Sequence, residues 1–428
     1  MPRVLCILIA YLMMMNKVGP VKPSERHVIL DVLRGIALLG ICLANYPEFS
    51  LYTFQANDVV EVMPTANIDL IWRYFHYIFI DGKFYSLFSL LFGVGFSIIL
   101  SNIAQKKQHG LAFFYRRMLV LIIIGLLHLF LLWAGDILLL YALVGLMLPL
   151  FKNTPNRKLL IISAVLIFFP IVMDAFKVLT DHRFSLMIPV EKVHQYFNAK
   201  YGLTSDNFGT WLLDGKNYSD VLKFNLCGSF IRCQEFIEDN RVFKVLGLFI
   251  LGWYIGRNRL YARINEHAAI LKQIRNYGFL VGLPGSCLFA WNAVNQHPLG
   301  LIASSTIYAL TVLPMCFAYI SMICLWYMQS KTEQWHIKFH KIIAAPGRMA
   351  LTNYIGQSVI GIIIFYGIGF GFALTGLVYV ELIAAGIFMF QVLFSNVWLH
   401  YFQFGLLEWI WRMLTYGKRI KNLNKVKI

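Results

Sequence analysis

Long apolar runs alternate along this chain with short polar segments, and the alternation predicts its secondary structure. A helix needs about 20 predominantly apolar residues to cross a bilayer, so each long run is predicted to be a membrane-spanning helix. About ten runs qualify, at residues 32–46, 84–100, 118–133, 137–150, 159–178, 242–255, 277–294, 299–328, 350–372 and 375–394. The sequence therefore predicts an all-α fold, a polytopic transmembrane helical bundle of about ten spans.

The composition supports this class of protein. Of the 428 residues, 59% are hydrophobic and only 14% are charged, whereas soluble domains carry about 25% charged residues. The net charge of +17 comes from lysines and arginines that fall in every second loop, as the positive-inside rule expects. We therefore expect both termini to be cytosolic and the lipid bilayer to be the main partner. The charge needs no nucleic acid to explain it.

The span boundaries divide the chain into four segments. They are an apolar N-terminal extension at 1–26, an N-terminal transmembrane half with spans 1 to 5 at 27–179, an extracytoplasmic loop region at 180–241, and a C-terminal transmembrane half with spans 6 to 10 and a basic cytosolic tail at 242–428. The extension is too short to cross a bilayer and no signal cleavage site follows it, and whether it is retained stays open. Cys227 and Cys233 lie six residues apart in the loop region. Whether they form a disulfide also stays open.

The first span carries an arginine near its start. Placing Arg34 inside a bilayer costs about 2.5–3.5 kcal/mol unless it reaches the interface or finds a partner. Asp31 lies three residues earlier, one helical turn away, and is the predicted partner. Arg34 then either anchors the end of the helix or binds a charged ligand at the cytosolic side.

Two histidines occur with a carboxylate nearby. Asp69, Arg73 and His76 are spaced by four and three residues, so a helix places them on one face, where a carboxylate can orient an imidazole base. His128 lies inside the third span and Asp136 at its outer end, and Gly135 is a candidate helix end. Either group has a structural alternative, an interfacial ion pair for the first and a hydrogen-bonded core histidine for the second.

A polar stripe opens the ninth span. Arg348 precedes it on the side of Arg34, and Asn353 and Gln357 are one helical turn apart within it. Two arginines at one depth suit the phosphates of a nucleotide or an acyl carrier, whereas hydrogen bonds between helices also explain such a stripe. The sequence has no HExxH, phosphate-loop, paired CxxC or GxSxG motif, so no metal is expected.

Five sequence blocks, which together span most of the chain beyond residue 25, carry a resemblance to a known family. They are residues 30–41, 83–93, 127–138, 347–354 and 405–412. They resemble blocks of the YeiB-like family of bacterial multi-pass membrane proteins, whose C-terminal half is known as domain of unknown function 418. The resemblance implies a protein of the bacterial cell membrane.

The first span is also distantly similar to that of the transmembrane acyltransferases, which include heparan-α-glucosaminide N-acetyltransferase and sugar O-acyltransferases. In the O-acyltransferases ten residues separate the arginine from an essential histidine, and this chain has Asn45 at that position instead. The N-acetyltransferase branch has its acetyl-accepting histidine in the next outer loop, and this chain has no histidine between Tyr46 and Ala66. His76 and His128 are therefore the candidates for that role.

The leading hypothesis is an acyltransferase-like protein that moves an acyl group from cytosolic acyl-coenzyme A to an acceptor at the outer face. Arg34 and Arg348 would bind the donor, and His76 or His128 would act as base or acyl relay, oriented by Asp69 or Asp136. Asn45, Asn353 and Gln357 are the predicted substrate contacts. The alternatives are a transporter or channel that uses the same polar residues, and a non-catalytic scaffold. Homo-oligomer formation stays open.

Overall fold

The structure is a computed structural model that describes residues 27–105, 110–180, 187–204, 206–329, 334–372 and 375–424. The predicted extension at 1–26 lies outside the described residues. The longer helices, labelled α1 to α15 in chain order, are Val28–Phe49, Ala66–Phe75, Lys83–Gln105, Gly110–Leu127, Leu138–Gly145, Asn156–Leu179, Ile188–Tyr201, Tyr218–Glu238, Arg241–Arg257, Ala268–Val294, Gly300–Gln329, Gln334–Arg348, Ala350–Phe365, Leu377–Tyr401 and Leu406–Tyr416. Shorter helical turns lie at Tyr52–Phe54, Asn57–Glu61, His76–Ile80, His128–Leu132, Leu148–Phe151, Trp211–Asp214 and Leu260–Ala262.

The protein is an all-α, multi-pass membrane protein. Across the described ranges, seven helical segments are long and apolar enough to cross a membrane, or eight if the bent pair α12–α13 counts as one. The seven are Val28–Phe49, Ala66–Ser101, Leu111–Leu132, Asn156–Leu179, Ala268–Val294, Gly300–Gln329 and Leu377–Tyr401. The predicted fourth and sixth spans correspond to α5 and α9, which have 8 and 17 residues. Both are shorter than the usual span, so the number ten stays a prediction.

The region from 180 to 241, predicted to be a loop, contains two helices among its described residues. α8 packs against α7 and against the turn at His128–Leu132. The Asn225 amide donates to the carbonyl of Phe130 at 3.4 Å, and Arg232 Nε donates to that of Ala134 at 3.1 Å. Cys227 and Cys233 are both free thiols in α8. The region therefore forms a helical cap over one end of the bundle.

Two helices of the bundle touch through glycines. A Cβ on Gly252 of α9 would lie 2.0 Å from the carbonyl oxygen of Leu90 in α3, and one on Gly93 would lie 2.1 Å from that of Phe249. Small residues at such crossings let two backbones approach closely in a membrane, where van der Waals contact holds helices together. The α3–α9 pair is therefore packed backbone to backbone.

Three interruptions of helical geometry redirect the chain. α12 and α13 are bent by 71° at Met349. Turns of π-helix begin at His76 and at His128, closed by hydrogen bonds from the N–H of Asp81 and of Trp133 at 2.9 and 2.8 Å. Such π-turns often occur at functional sites, and both sequence-predicted histidines begin one.

Substitution of Gly252 by alanine is expected to lower the free energy of unfolding by about 1–3 kcal/mol, because the new methyl group overpacks the contact with Leu90. The matched control is Gly386→Ala in α14, where a Cβ would meet no atom within 4 Å. That change is expected to be neutral or to stabilise by up to about 1 kcal/mol through helix propensity. Thermal unfolding in detergent measures both. Equal midpoints for the two variants would contradict the contact.

Candidate functional site

A cavity of about 1280 Å³ runs along one face of α1. Its lining includes Asp31, Arg34, Leu38, Asn45 and Glu48, which follow one another at helical spacing. With a rise of 1.5 Å per residue, the 17 steps from Asp31 to Glu48 cover about 26 Å, close to the roughly 30 Å of a bilayer's hydrocarbon core. The first span therefore lines a cavity almost as long as the membrane is thick.

One end of the cavity, here called the basic end, is lined by Arg34, Arg117, Arg348 and Arg412. Gly35 and Gly347 let the helices that carry Arg34 and Arg348 approach each other closely. A Cβ on Gly347 would lie 2.0 Å from the carbonyl oxygen of Asp31, and one on Gly35 would lie 2.1 Å from that of Ile343. The predicted pair of Arg34 with Asp31 is confirmed, with Nη1 3.0 Å from Oδ1.

Sequence reasoning missed two arginines of the basic end. It assigned Arg117 to a loop, but α4 begins at Gly110 and carries this arginine inside the helix. The guanidinium of Arg117 lies 3.7 Å from the ring centroid of Trp411, and that of Arg412 lies 4.1 Å from that of Phe404. Within the described part of the chain, no carboxylate lies within 4 Å of Arg117. A stacked arginine keeps donors available for an anion.

Glu408 stabilises the helix that follows Arg348. One of its carboxylate oxygens accepts hydrogen bonds from the backbone N–H groups of Leu351 and Thr352, at 2.7 and 3.1 Å. The other accepts the hydroxyl of Thr352. Burial raises the pKa of Glu408 above its usual value, and these hydrogen bonds oppose the rise. The N–H groups at the start of α13 are thus hydrogen-bonded to Glu408, and these bonds fix the backbone next to Arg348.

The middle of the cavity is apolar and aromatic. Its lining there includes Phe88, Phe92 and Tyr141. Rings of Phe92 and Tyr141 pack edge to face with centroids 5.6 Å apart. This section suits a linear, weakly polar chain and separates the charges at the two ends.

The opposite end, here called the mixed-charge end, carries acidic and basic side chains together with His76. His76 Nδ1 lies 3.3 Å from Oε1 of Glu381 in α14, and the glutamate is only 2% exposed. His76 lines the cavity, and its Nε2 has no hydrogen-bond partner among the described residues. Sequence reasoning missed Glu381, although a single carboxylate inside the apolar run 375–394 was a usable signal.

Asp69, the predicted orienter of His76, lies elsewhere. Its carboxylate accepts the backbone N–H of Val378 at 2.9 Å and the hydroxyl of Thr65 at 2.8 Å. Asp69 is fully buried and does not line the cavity. It satisfies an N–H group at the start of α14, which is the helix that carries Glu381.

His128 and Asp136 are brought together, but away from the cavity. His128 Nδ1 lies 2.8 Å from Asp136 Oδ2, and Nε2 lies 2.8 Å from Ser358 Oγ. His128 is 1% exposed and is absent from the cavity lining. The rings of Trp133 and Tyr354, which line the cavity, lie beside it with centroids 6.3 and 5.2 Å away. Both ring nitrogens of His128 are engaged within the protein.

The three predicted substrate contacts separate. Asn45 lines the cavity between its two ends. Asn353 donates to Ser395 Oγ at 2.9 Å and Gln357 donates to Gln391 Oε1 at 2.9 Å. These two amides are buried between α13 and α14 and do not line the cavity. Their geometry is that of hydrogen bonding between membrane helices.

Within the described ranges, no group of three or more histidine, cysteine or acidic side chains is arranged to hold a metal ion. The arginines of the basic end have donors that match phosphate groups.

Comparison with known proteins gives one family and three relatives. The family model described as "Protein of unknown function (DUF418)" matches residues 255–418. "Uncharacterized protein YxaH" of Bacillus subtilis (strain 168) is 27% identical over 94% of this chain and 97% of its own length. "Uncharacterized 39.9 kDa protein in amylase 3'region" of Bacillus acidopullulyticus is 26% identical over 95% and 98%. "Uncharacterized protein YeiB" of Escherichia coli (strain K12) is 28% identical over 91% and 96%. No solved structure gives a significant match.

Replacement of Glu408 by alanine is expected to destabilise the fold, because three donors of Leu351 and Thr352 lose their acceptor. A buried donor without a partner costs about 1–3 kcal/mol. Glu408→Gln retains one carbonyl oxygen and should lose less. Thermal unfolding in detergent reads out the difference, with Glu191→Ala on the exposed face of α7 as control. A stability of Glu408→Ala equal to that of the control would show that the carboxylate does not hold this helix start.

Proposed function

We propose that this chain, which belongs to the YeiB-like DUF418 family of multi-pass membrane proteins, is an acyltransferase of the bacterial cell membrane. The observation that carries the proposal is the single cavity that joins an arginine cluster to a histidine–glutamate pair. A coenzyme A thioester has its phosphates at one end of a long linear arm and its reactive carbonyl at the other. The cavity has arginines at one end, an apolar section in the middle and His76 at the other end, and this matches the order of groups along the thioester.

In this proposal the basic end faces the cytosol. The support is the distribution of lysines and arginines along the sequence, which predicts about ten spans and cytosolic termini. α1 begins beside Arg34 and ends beside Glu48, so its N-terminus would lie on the cytosolic side. The short helices α5 and α9 would complete the ten spans within the bundle. The acceptor would then enter at the extracytoplasmic, mixed-charge end.

The donor would be bound by the arginines. Arg34 and Arg348 were expected there, and Arg117 and Arg412 join them at the same end of the cavity. Guanidinium groups bind phosphate oxygens through paired, charge-assisted hydrogen bonds. Asp31 is the cavity-lining carboxylate that pairs with Arg34, and Glu408 is engaged by the start of α13. The end is therefore short of negative charge, as expected for a site that takes a polyanion.

The base would be His76. Glu381 holds its Nδ1, so the ring presents Nε2 as the nitrogen available to a group in the cavity. Such a dyad can take a proton from an acceptor hydroxyl or amine as it attacks the thioester carbonyl, after which the coenzyme A thiol leaves. The carboxylate fixes the tautomer and stabilises the imidazolium that forms. His128 would instead have a structural role, because both of its nitrogens are bound inside the protein.

Transport of an amphipathic anion is the second candidate function. The observation that favours it is the length of the cavity, which has charged groups at both ends and an apolar middle. A transporter would use the arginines to collect the anion and would form no acyl product. Measurement of the thioester itself separates the two functions.

Arg34→Ala and Arg348→Ala are each expected to raise the Kd for acetyl-coenzyme A by about 10–100-fold. A lost charge-assisted hydrogen bond is worth about 1.5–3 kcal/mol, and 1.4 kcal/mol is tenfold in affinity. Titration of the purified protein in detergent measures this. Arg117→Ala should raise the Kd in the same way. Arg116→Ala is the control, because Arg116 does not line the cavity. Absence of saturable binding to folded protein, or equal weakening by Arg116→Ala, would contradict a donor site here.

His76→Ala is expected to lower the release of free thiol from acetyl-coenzyme A by about 10²–10⁴-fold, the usual contribution of a general base. Glu381→Gln should cause a smaller loss. The assay uses native membranes that contain the full chain, with His194→Ala in the helical cap as control. An unchanged rate in His76→Ala would exclude His76 as base. Thiol release absent from the wild type would favour transport.

A further inference from the structure

The mixed-charge end contains several charged side chains that pair with one another. Arg232 Nη2 lies 3.5 Å from Glu48 Oε2, and Arg241 Nη2 lies 3.4 Å from Asp239 Oδ2. Lys177 Nζ lies 3.4 Å from Asp174 Oδ1. All six side chains line the cavity. Since each charge already has an opposite partner within the protein, these pairs do not call for a charged ligand.

Lys244 differs from these cations. It lines the same end of the cavity from the first turns of α9, yet no carboxylate oxygen lies within 4 Å of its ammonium among the described residues. Its Nζ lies 3.8 Å from the ring centroid of Tyr308 and 5.6 Å from that of Tyr85. Two aromatic faces partly stabilise the charge but leave its hydrogen-bond donors unused.

A tight turn packs against Tyr308, the tyrosine whose ring lies beside Lys244. A Cβ on Gly82 would lie 2.3 Å from the oxygen of Tyr308, and Gly82 has a φ of +75°, a value that favours glycine. Asp81, next to this turn, also lines the cavity, and its carboxylate forms no ion pair within 4 Å among the described residues. The N–H of Asp81 bonds to the carbonyl of His76 at 2.9 Å. One unpaired cation, one unpaired carboxylate and the histidine thus share this end.

We propose that Lys244 binds an anionic group of the acceptor, either a carboxylate or a phosphate. An ammonium that is removed from bulk water and has no carboxylate in direct contact is unfavourable, and an anion that enters the cavity reduces this cost. Asp81 would accept a hydroxyl or amine hydrogen of the same molecule and would disfavour ligands with several negative charges. This inference rests on the proposed function, because it assigns the acceptor to the end of the cavity that contains His76.

The test compares three probes that share a three-carbon skeleton: glycerol 3-phosphate, glycerate and uncharged glycerol. Binding is measured by calorimetry on the purified full chain in glycerol-free detergent solution. The wild type is expected to bind at least one of the two anions tenfold or more tighter than glycerol. Which anion is preferred identifies the group as phosphate or carboxylate, and either preference supports the proposal.

Variants assign the preference to the lysine. Lys244→Met should abolish it and Lys244→Arg should retain it, while Lys177→Met, which removes a cavity lysine already paired with Asp174, should keep it. Equal or absent binding of all three probes by the wild type would overturn the proposal, as would a preference that survives in Lys244→Met. Thermal unfolding of the same samples verifies folding, and acetyl-coenzyme A binding is measured beside it. If acetyl-coenzyme A still binds but the preference for an anion is missing, this inference is overturned and the proposed function stands.

Discussion

The cost of an unpaired charge in a low-dielectric bundle is the constraint on which this structure depends. Three buried carboxylates meet it in two ways. Asp31 pairs with Arg34, Glu408 accepts the free N–H groups at the start of α13, and Asp69 does the same at the start of α14. Glu408 and Asp69 thereby fix the starts of two helices. Other charged side chains, among them Arg117, Lys177 and Arg232, line one cavity, where water or a ligand can reach them.

Close backbone contacts decide where these charges lie. Gly35 and Gly347 allow α1 and α12 to touch, and each glycine is followed or preceded by an arginine of the basic end. A side chain at either glycine would separate the two helices and with them Arg34 and Arg348. The bend at Met349 then directs α13 away from this contact. Packing and charge placement are therefore one feature of the fold.

Sequence reasoning could predict what depends on neighbours along one helix. The pair Asp31–Arg34 follows from a spacing of three, and the apolar runs predict the class of fold. It could not find the pairing of His76 with Glu381, because 305 residues separate them and no periodicity links two helices. It placed Asp69 and His76 on one helical face, but the helix changes to a π-turn at His76.

The two ends of the cavity differ in a way that bears on function. At the basic end the arginines outnumber the available carboxylates, whereas at the mixed-charge end most charges are paired and Lys244 stands apart. A secondary transporter holds its solute at a site near the bilayer midplane. Two different ends suit two different molecules that meet within the protein. His76 lies at the second end, where a donor arm that crosses the apolar middle would meet an acceptor. This asymmetry supports group transfer over transport.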